Sequence, residues 1–327
     1  MHLRTDSPIH RSTDQPALLS AAELAALGDL MFVARRMVAG LYAGRHRSPR
    51  RGHSTEFYDY RGYLPGDEPR RVDWKAFGRT DRLYVRRFRH DADLAMHLLV
   101  DRSASMDFAS VDAGRGGWRR RDKPPATKFT CARQLAAALA YVAVQQGDRV
   151  SLTWLDRRAT PAMGLGGSSE HLRELIAALE SAEPGGPTDP GRALAEAHAA
   201  ITGGRSATRT GALAIIISDL LDPAADWLAG LAPLLHDRFD IAAIQVLSPQ
   251  ELGLRGMADR RLIDSETGRS LPTAPALVAD RYRAEMAEHI ARLQRGLRRH
   301  GADHHLITTD QPPVQALRSY LASRAGR

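Results

Sequence analysis

Leu98-Leu-Val-Asp101-Arg-Ser103-Ala-Ser105-Met106 is the stretch on which the reading of this chain turns. The apolar run from Leu94 to Val100 has the length and composition of a buried strand. It ends in an acid followed by two hydroxyls at alternate positions. At the carboxyl end of a strand in an open α/β sheet, a short loop points its side chains into the crevice where ligands bind. One carboxylate, two serine hydroxyls and room for water make an all-oxygen set that suits a hard cation such as Mg²⁺. Asp and Ser are also the usual caps of helices and turns, so the pattern gains weight only from partners elsewhere in the chain.

Two partners follow. Gly185-Gly-Pro-Thr188-Asp189-Pro is a loop ahead of a helical stretch from Pro190 to Ile201, and it puts Thr188 near the helix amino end. Leu213-Ala-Ile-Ile-Ile-Ser218-Asp219 is a second continuous apolar run ending in an acid. Taken singly, Thr188 reads as a helix cap and Asp219 as the cap of a helix starting near Pro223. Taken together, three oxygen-bearing loops at strand or helix ends can converge on one point at the top of a parallel sheet.

This ordered set resembles the metal-ion-dependent adhesion site of von Willebrand factor type A domains. The resemblance implies Asp101, Ser103, Ser105, Thr188 and Asp219 as the residues that hold one Mg²⁺ or Mn²⁺. Mg²⁺ keeps several waters and is held by one or two carboxylates, so such a site leaves a position that an acidic side chain of a partner could fill. A second resemblance covers more of the chain. Glu56-Phe57, Arg61-Gly-Tyr63-Leu-Pro65-Gly66-Asp67 and Arg70-Arg-Val-Asp73-Trp74 are similar to the signature of the bacterial domain-of-unknown-function-58 family, with Val72 where Ile is usual. The likeness continues through Lys128, Gly147-Asp148-Arg149-Val150, Pro249-Gln-Glu251-Leu and Asp264-Ser-Glu266-Thr-Gly268, and so runs from Arg45 to Asp310. It implies a metal-dependent protein-binding adaptor that works with a MoxR-type AAA+ ATPase on a client in chaperone-like assembly or maturation. Two departures stand out: no amino-terminal membrane helix is readable, and the stretch from Asp107 to Thr127 is longer than the pattern leads one to expect.

A chain of 327 residues with 43% hydrophobic content can bury a sizeable core. The single cysteine, Cys131, excludes an internal disulfide and fits a reducing compartment. It falls at the start of an apolar helix and reads as a packing residue. The most apolar amino-terminal stretch, Leu27 to Leu41, is broken by Asp29, Arg35 and Arg36, so no membrane span is expected. The first fifteen residues are polar, with no secretory signal, and a cytoplasmic protein is expected. The net charge of +8 is concentrated: Arg35 to Arg89 holds 15 Lys/Arg and 6 Asp/Glu, or +9. With Phe57, Tyr58, Tyr60, Tyr63, Trp74 and Phe88 interleaved, this region admits a nucleic-acid-binding reading. Their alternation fits packed strands equally well, and the interleaved acids disfavour nucleic acid.

The expected fold class is α/β: a von Willebrand factor A-like (Rossmann-like), mostly parallel sheet flanked by helices, with a small basic N-terminal subdomain. The expected organisation is a tail and helix over 1–44, with the helix from Ala17 to Tyr42, then a basic β-rich signature region over 45–93. The type A-like domain follows over 94–327, with a hairpin inserted over 248–275. Expected strands are Leu94 to Asp101, Val150 to Leu155, Leu213 to Ser218, Ile241 to Leu247 and Asp303 to Thr308, with a short antiparallel strand from Thr160 to Met163. Expected helices are Lys128 to Gln146, Ser169 to Ser181, Pro190 to Ile201, Pro223 to His236, Val278 to His300 and Val314 to Arg324. Trp74 is expected to pack between the signature region and the sheet, with Asp73 paired to an arginine. In the long loop, Trp118, Arg119 and Arg120 have the mix of an aromatic and arginines favoured at interfaces, and are the candidate partner contacts.

No catalytic or cofactor-binding constellation is visible. The chain has no G-x-x-x-x-G-K-[ST], no H-E-x-x-H and no G-x-S-x-G. His304 and His305 are neighbours on a strand and point to opposite faces. The expectation is therefore a non-enzymatic binder. A metal-dependent hydrolase or phosphatase using the same ion as Lewis acid is the alternative.

Overall fold

The structure, a computed structural model, describes residues 56–62, 84–89, 94–108, 127–202, 212–222, 227–253, 262–263, 270–271 and 275–325. Strands β1 (Glu56–Gly62) and β2 (Tyr84–Arg89) form an antiparallel pair. The main sheet holds β3 (Ala95–Asp101), β4 (Arg149–Leu155), β5 (Ala159–Gly166), β6 (Ala212–Ser218), β7 (Asp240–Leu247) and β10 (Asp303–Thr308), in the order β10-β7-β6-β3-β4-β5. All neighbours pair parallel except β5, which runs antiparallel to β4 at one edge. The expected α/β class and mostly parallel sheet are thus the observed ones.

The central strands are apolar on both faces because helices cover both, as crossovers between parallel strands require. Met96, Leu98 and Val100 of β3 join Leu213, Ile215 and Ile217 of β6 in one cluster. That cluster is closed by α1 (Lys128–Gln145), α2 (Ser169–Ser181) and α6 (Pro313–Ala325). Ala95 and Leu99 join Ala214 and Ile216 in the other, under α3 (Pro190–Thr202), α4 (Trp227–His236) and α5 (Pro275–Arg299). Along both strands successive residues alternate between the clusters, as the two-residue side-chain period dictates.

Element types follow the sequence closely, and α2 and β10 have the expected bounds. The antiparallel edge strand is longer than Thr160 to Met163 because its pairing with β4 runs on to Gly166. Helix α5 begins at Pro275, ahead of the expected Val278, since proline is well placed in a first helical turn. Described α4 begins at Trp227; the expected start at Pro223 lies outside the described residues. The inserted hairpin is present as β8 (Leu262–Ile263) against β9 (Ser270–Leu271). The expected helix from Ala17 to Tyr42, Asp73 and Trp74, and the loop residues Trp118, Arg119 and Arg120 also lie outside the described residues. Cys131 is buried in α1, and burial pushes its thiol up to about 12, as fits an inert packing residue.

Helix α1 starts at Lys128. Thr127 is its cap, and the Thr127 hydroxyl accepts from the Thr130 amide at 3.0 Å. Thr127→Ala is expected to lower stability by about 1 kcal/mol, read from a denaturant midpoint. An unchanged midpoint would show that packing alone fixes the helix start.

Candidate metal centre

Three strands deliver the site. Asp101 is the last residue of β3, Ser218 the last of β6, and Ser248 follows β7. The three strands are neighbours in the parallel sheet, so their carboxyl ends form one crest.

Asp101 is 3% exposed and both its oxygens are engaged. Oδ1 accepts from the Ser103 amide at 2.8 Å, and Oδ2 accepts from the Ser218 hydroxyl at 2.6 Å. Ser103 Oγ lies 3.0 Å from Ser105 Oγ. Ser103 opens a short 3₁₀ turn but its side chain makes no capping bond, so the serine pair is not a helix cap. Burial, reinforced by the charge of Asp219, pushes the Asp101 carboxyl up to about 6 despite the hydrogen bonds from Ser218 and Ser103. A carboxylate kept there at neutral pH calls for positive charge.

The Thr188 loop is stitched to the serine loop by two backbone bonds, Ala104 N–H to Gly186 O at 2.9 Å and Gly185 N–H to Arg102 O at 2.8 Å. Gly186 makes this turn at φ +78°, a conformation that glycine adopts without a Cβ penalty. Asp189, not Thr188, caps α3: its side chain accepts from Arg192 N–H at 3.2 Å and its carbonyl from Ala193 N–H at 2.8 Å. The capping reading of Thr188 is thereby corrected, and Thr188 sits half-buried at the loop tip.

Asp219 follows β6 and is 5% exposed. The helix start near Pro223 that Asp219 is expected to cap lies outside the described residues. Its Oδ1 accepts from Leu221 N–H at 3.3 Å and its carbonyl from Gln245 Nε2 at 2.8 Å. Because the Gln245 amide nitrogen is used there, its oxygen accepts from His304 Nε2–H, 3.0 Å away. Leu220 is held at φ 51°, a costly conformation for a branched side chain. Its amide donates to Ser218 Oγ at 3.1 Å, and its carbonyl accepts from His289 Nε2–H of α5 at 2.8 Å. The backbone beside Asp219 is thus clamped from two elements.

Lys128, the first residue of α1, is the member that sequence reasoning missed. Its side chain is 1% exposed, and Nζ lies 2.7 Å from Asp219 Oδ2 and 2.6 Å from Glu251 Oε1. Glu251 Oε2 accepts from Ser248 N–H at 2.8 Å. Burial works against the Lys128 ammonium, but the two carboxylates outweigh it and raise its pKa above the ordinary value. Burial raises Glu251, and Lys128 partly offsets that. Among the described residues, two carboxylates, Asp219 and Glu251, share the Lys128 ammonium, and Asp101 adds a further negative charge beside Asp219 when ionised.

Among the described residues, no three or more His, Cys, Asp or Glu side chains form a metal cluster. The oxygen set here is of another kind: two buried carboxylates with serine hydroxyls on adjoining loops and no soft donor. Hydroxyls and few carboxylates fit a small hard cation that keeps part of its water. Beside this crest, Leu221 and the α5 residues Tyr282, Met286, His289 and Arg292 line an open groove of about 580 Å³. No helix among the described residues is long and apolar enough to cross a membrane.

A protein-family model described as "Protein of unknown function DUF58" matches residues 59–294. An uncharacterized protein of Mycobacterium tuberculosis (strain ATCC 25618 / H37Rv) is 30% identical over 302 residues, covering 92% of this chain and 89% of that protein. An uncharacterized protein of Mycobacterium bovis matches with the same identity and coverage. Among solved structures, the conserved hypothetical protein BatB from Bacteroides thetaiotaomicron is 15% identical, covering 72% of this chain and 100% of that one with a TM-score of 0.42. The von Willebrand factor type A structure from Catenulispora acidiphila is 18% identical, covering 60% of this chain and 42% of that one with a TM-score of 0.35.

Proposed function

The chain belongs to the family described as protein of unknown function DUF58, and we propose that it is a non-enzymatic adaptor that binds a protein partner through one Mg²⁺ or Mn²⁺ at the crest of its sheet. Asp101, Ser103, Ser105, Thr188 and Asp219 hold the ion in this reading. The observation that carries it is the buried oxygen set around Asp101, whose carboxylates outnumber the one ammonium beside them. The ion supplies positive charge and a coordination position for an acidic side chain of the partner. Ser218 and the Ser103 amide orient Asp101, while Lys128, Leu221 N–H and Gln245 orient Asp219. The family resemblance supports a MoxR-type AAA+ ATPase as that partner, with both acting on a client in the cytoplasm.

Calorimetric titration with Mg²⁺ and Mn²⁺ is expected to give one ion per chain. Capture of the MoxR-type ATPase of the same genome is expected in Mg²⁺ and lost in chelator. Absence of ion binding would remove the metal centre from this reading, and capture that ignores chelator would remove the metal dependence. Metal-dependent turnover of generic phosphoesters would replace the adaptor with the hydrolase reading.

A further inference from the structure

We propose that Lys128 is a built-in competitor of the divalent ion, and that Glu251 sets the affinity of the site by sharing the Lys128 ammonium with Asp219. This inference rests on the metal-binding reading of Asp219.

The geometry assigns one cation to two acceptors. Lys128 Nζ is 2.7 Å from Asp219 Oδ2 and 2.6 Å from Glu251 Oε1. An ammonium has three donors and no acceptor, so it can satisfy both carboxylates and cannot itself ligate an ion. Its side chain is 1% exposed, so water does little to screen its charge. A positive charge fixed against Asp219 repels a second cation held by the same carboxylate. Glu251 works the other way. Its Oε2 is anchored by Ser248 N–H at 2.8 Å, which leaves Oε1 facing Lys128. The Glu251 charge draws the ammonium off Asp219 and adds negative potential to the crest.

The two residues therefore act on ion binding with opposite signs. In Lys128→Met, Asp219 and Glu251 lose their shared counter-charge, and the fold comes to depend on an added ion. In Glu251→Gln, the side-chain shape remains and the one amide oxygen can accept from either Lys128 or Ser248 N–H but not both, while the negative charge is gone and the whole ammonium charge falls on Asp219.

The test is Mn²⁺ titration of the full chain and these two variants, with melting temperatures recorded in chelator and in Mn²⁺. Lys128→Met is expected to bind Mn²⁺ about tenfold more tightly than wild type, and Glu251→Gln about tenfold more weakly. Lys128→Met is also expected to melt lower in chelator and to gain more from Mn²⁺ than wild type does. A lysine with a purely structural role would give weaker or unchanged binding in Lys128→Met, which overturns the proposal while leaving the metal site standing. Should Lys128→Met fail to fold, Glu251→Gln decides, since unchanged or tighter binding there contradicts the sharing of charge. Binding by Lys128→Met alone would support the lysine as a lock, whereas binding by none of the three chains ends both this inference and the metal reading.

Discussion

Asp101→Asn is expected to abolish divalent-ion binding and, in chelator at pH 7, to make the protein more stable by about 2–3 kcal/mol. Burial first, and the Asp219 charge second, push Asp101 up to about 6 from an ordinary 3.8. Below about pH 4 the group is protonated in both folded and unfolded chains and costs nothing. Between the two values the fold holds a proton that the unfolded chain has released, so stability falls as pH rises. Above about pH 6 the cost is complete. Asparagine has the same shape without the charge. Its oxygen can accept from the Ser103 amide, and its nitrogen can donate to the Ser218 hydroxyl, the two partners that Asp101 has now. A carboxylate that destabilises its own fold is kept for binding rather than for structure. Denaturant titrations in chelator, with calorimetry for the ion, check both halves. A variant less stable than wild type at pH 7 would make Asp101 a structural residue.

The second large effect has the opposite sign. His97 lies on β3, is 5% exposed and contacts Ser151 Oγ through Nδ1 at 2.7 Å. Burial, then the Arg149 charge, lowers it from 6.5 to about 4, so the ring is neutral in the fold. Its contribution is fully present above pH 6.5 and is lost as pH falls through the folded value. The loss amounts to about 3 kcal/mol by pH 4. His304, lowered to about 4 by burial, His305 and Arg298, adds loss in the same direction. Over the same window Asp101 regains stability on protonation. Wild type in chelator is therefore expected to lose less stability from pH 7 to pH 4 than Asp101→Asn does. Denaturant midpoints at the two pH values measure the difference, and equal slopes in the two proteins would refute the opposition.

The fold was legible because its signals are local. Buried parallel strands announce themselves as unbroken apolar runs such as Leu213 to Ile217, and the helix from Ser169 to Ser181 has the bounds expected from the sequence. The candidate ligands were legible for the same reason, since an acid at the end of such a run lands on the crest. Lys128, Ser218 and Glu251 were not singled out as site residues. Lys128 meets Asp219 across 91 positions and Glu251 across 123, and no local period records a meeting at that distance. A lone lysine opening an apolar helix reads as solvated, and only the packing of α1 turns it inward. Ser218 was hidden inside a strand pattern, although its hydroxyl fixes one oxygen of Asp101. Lys128 and Glu251 did belong to the family likeness, and that was the one signal that could have marked them as a pair.

The antiparallel edge strand has a consequence for assembly. An open sheet edge is a template on which another chain can add a strand, and chains that do so repeatedly form aggregates. Strand β5 carries Pro161, which has no amide hydrogen to offer, together with Gly164 and Gly166, and its register against β4 is broken twice. Such an edge propagates poorly. A molecule that presents charged loops at the crest and a blunted strand at the side can be concentrated on a large assembly without polymerising through that flank.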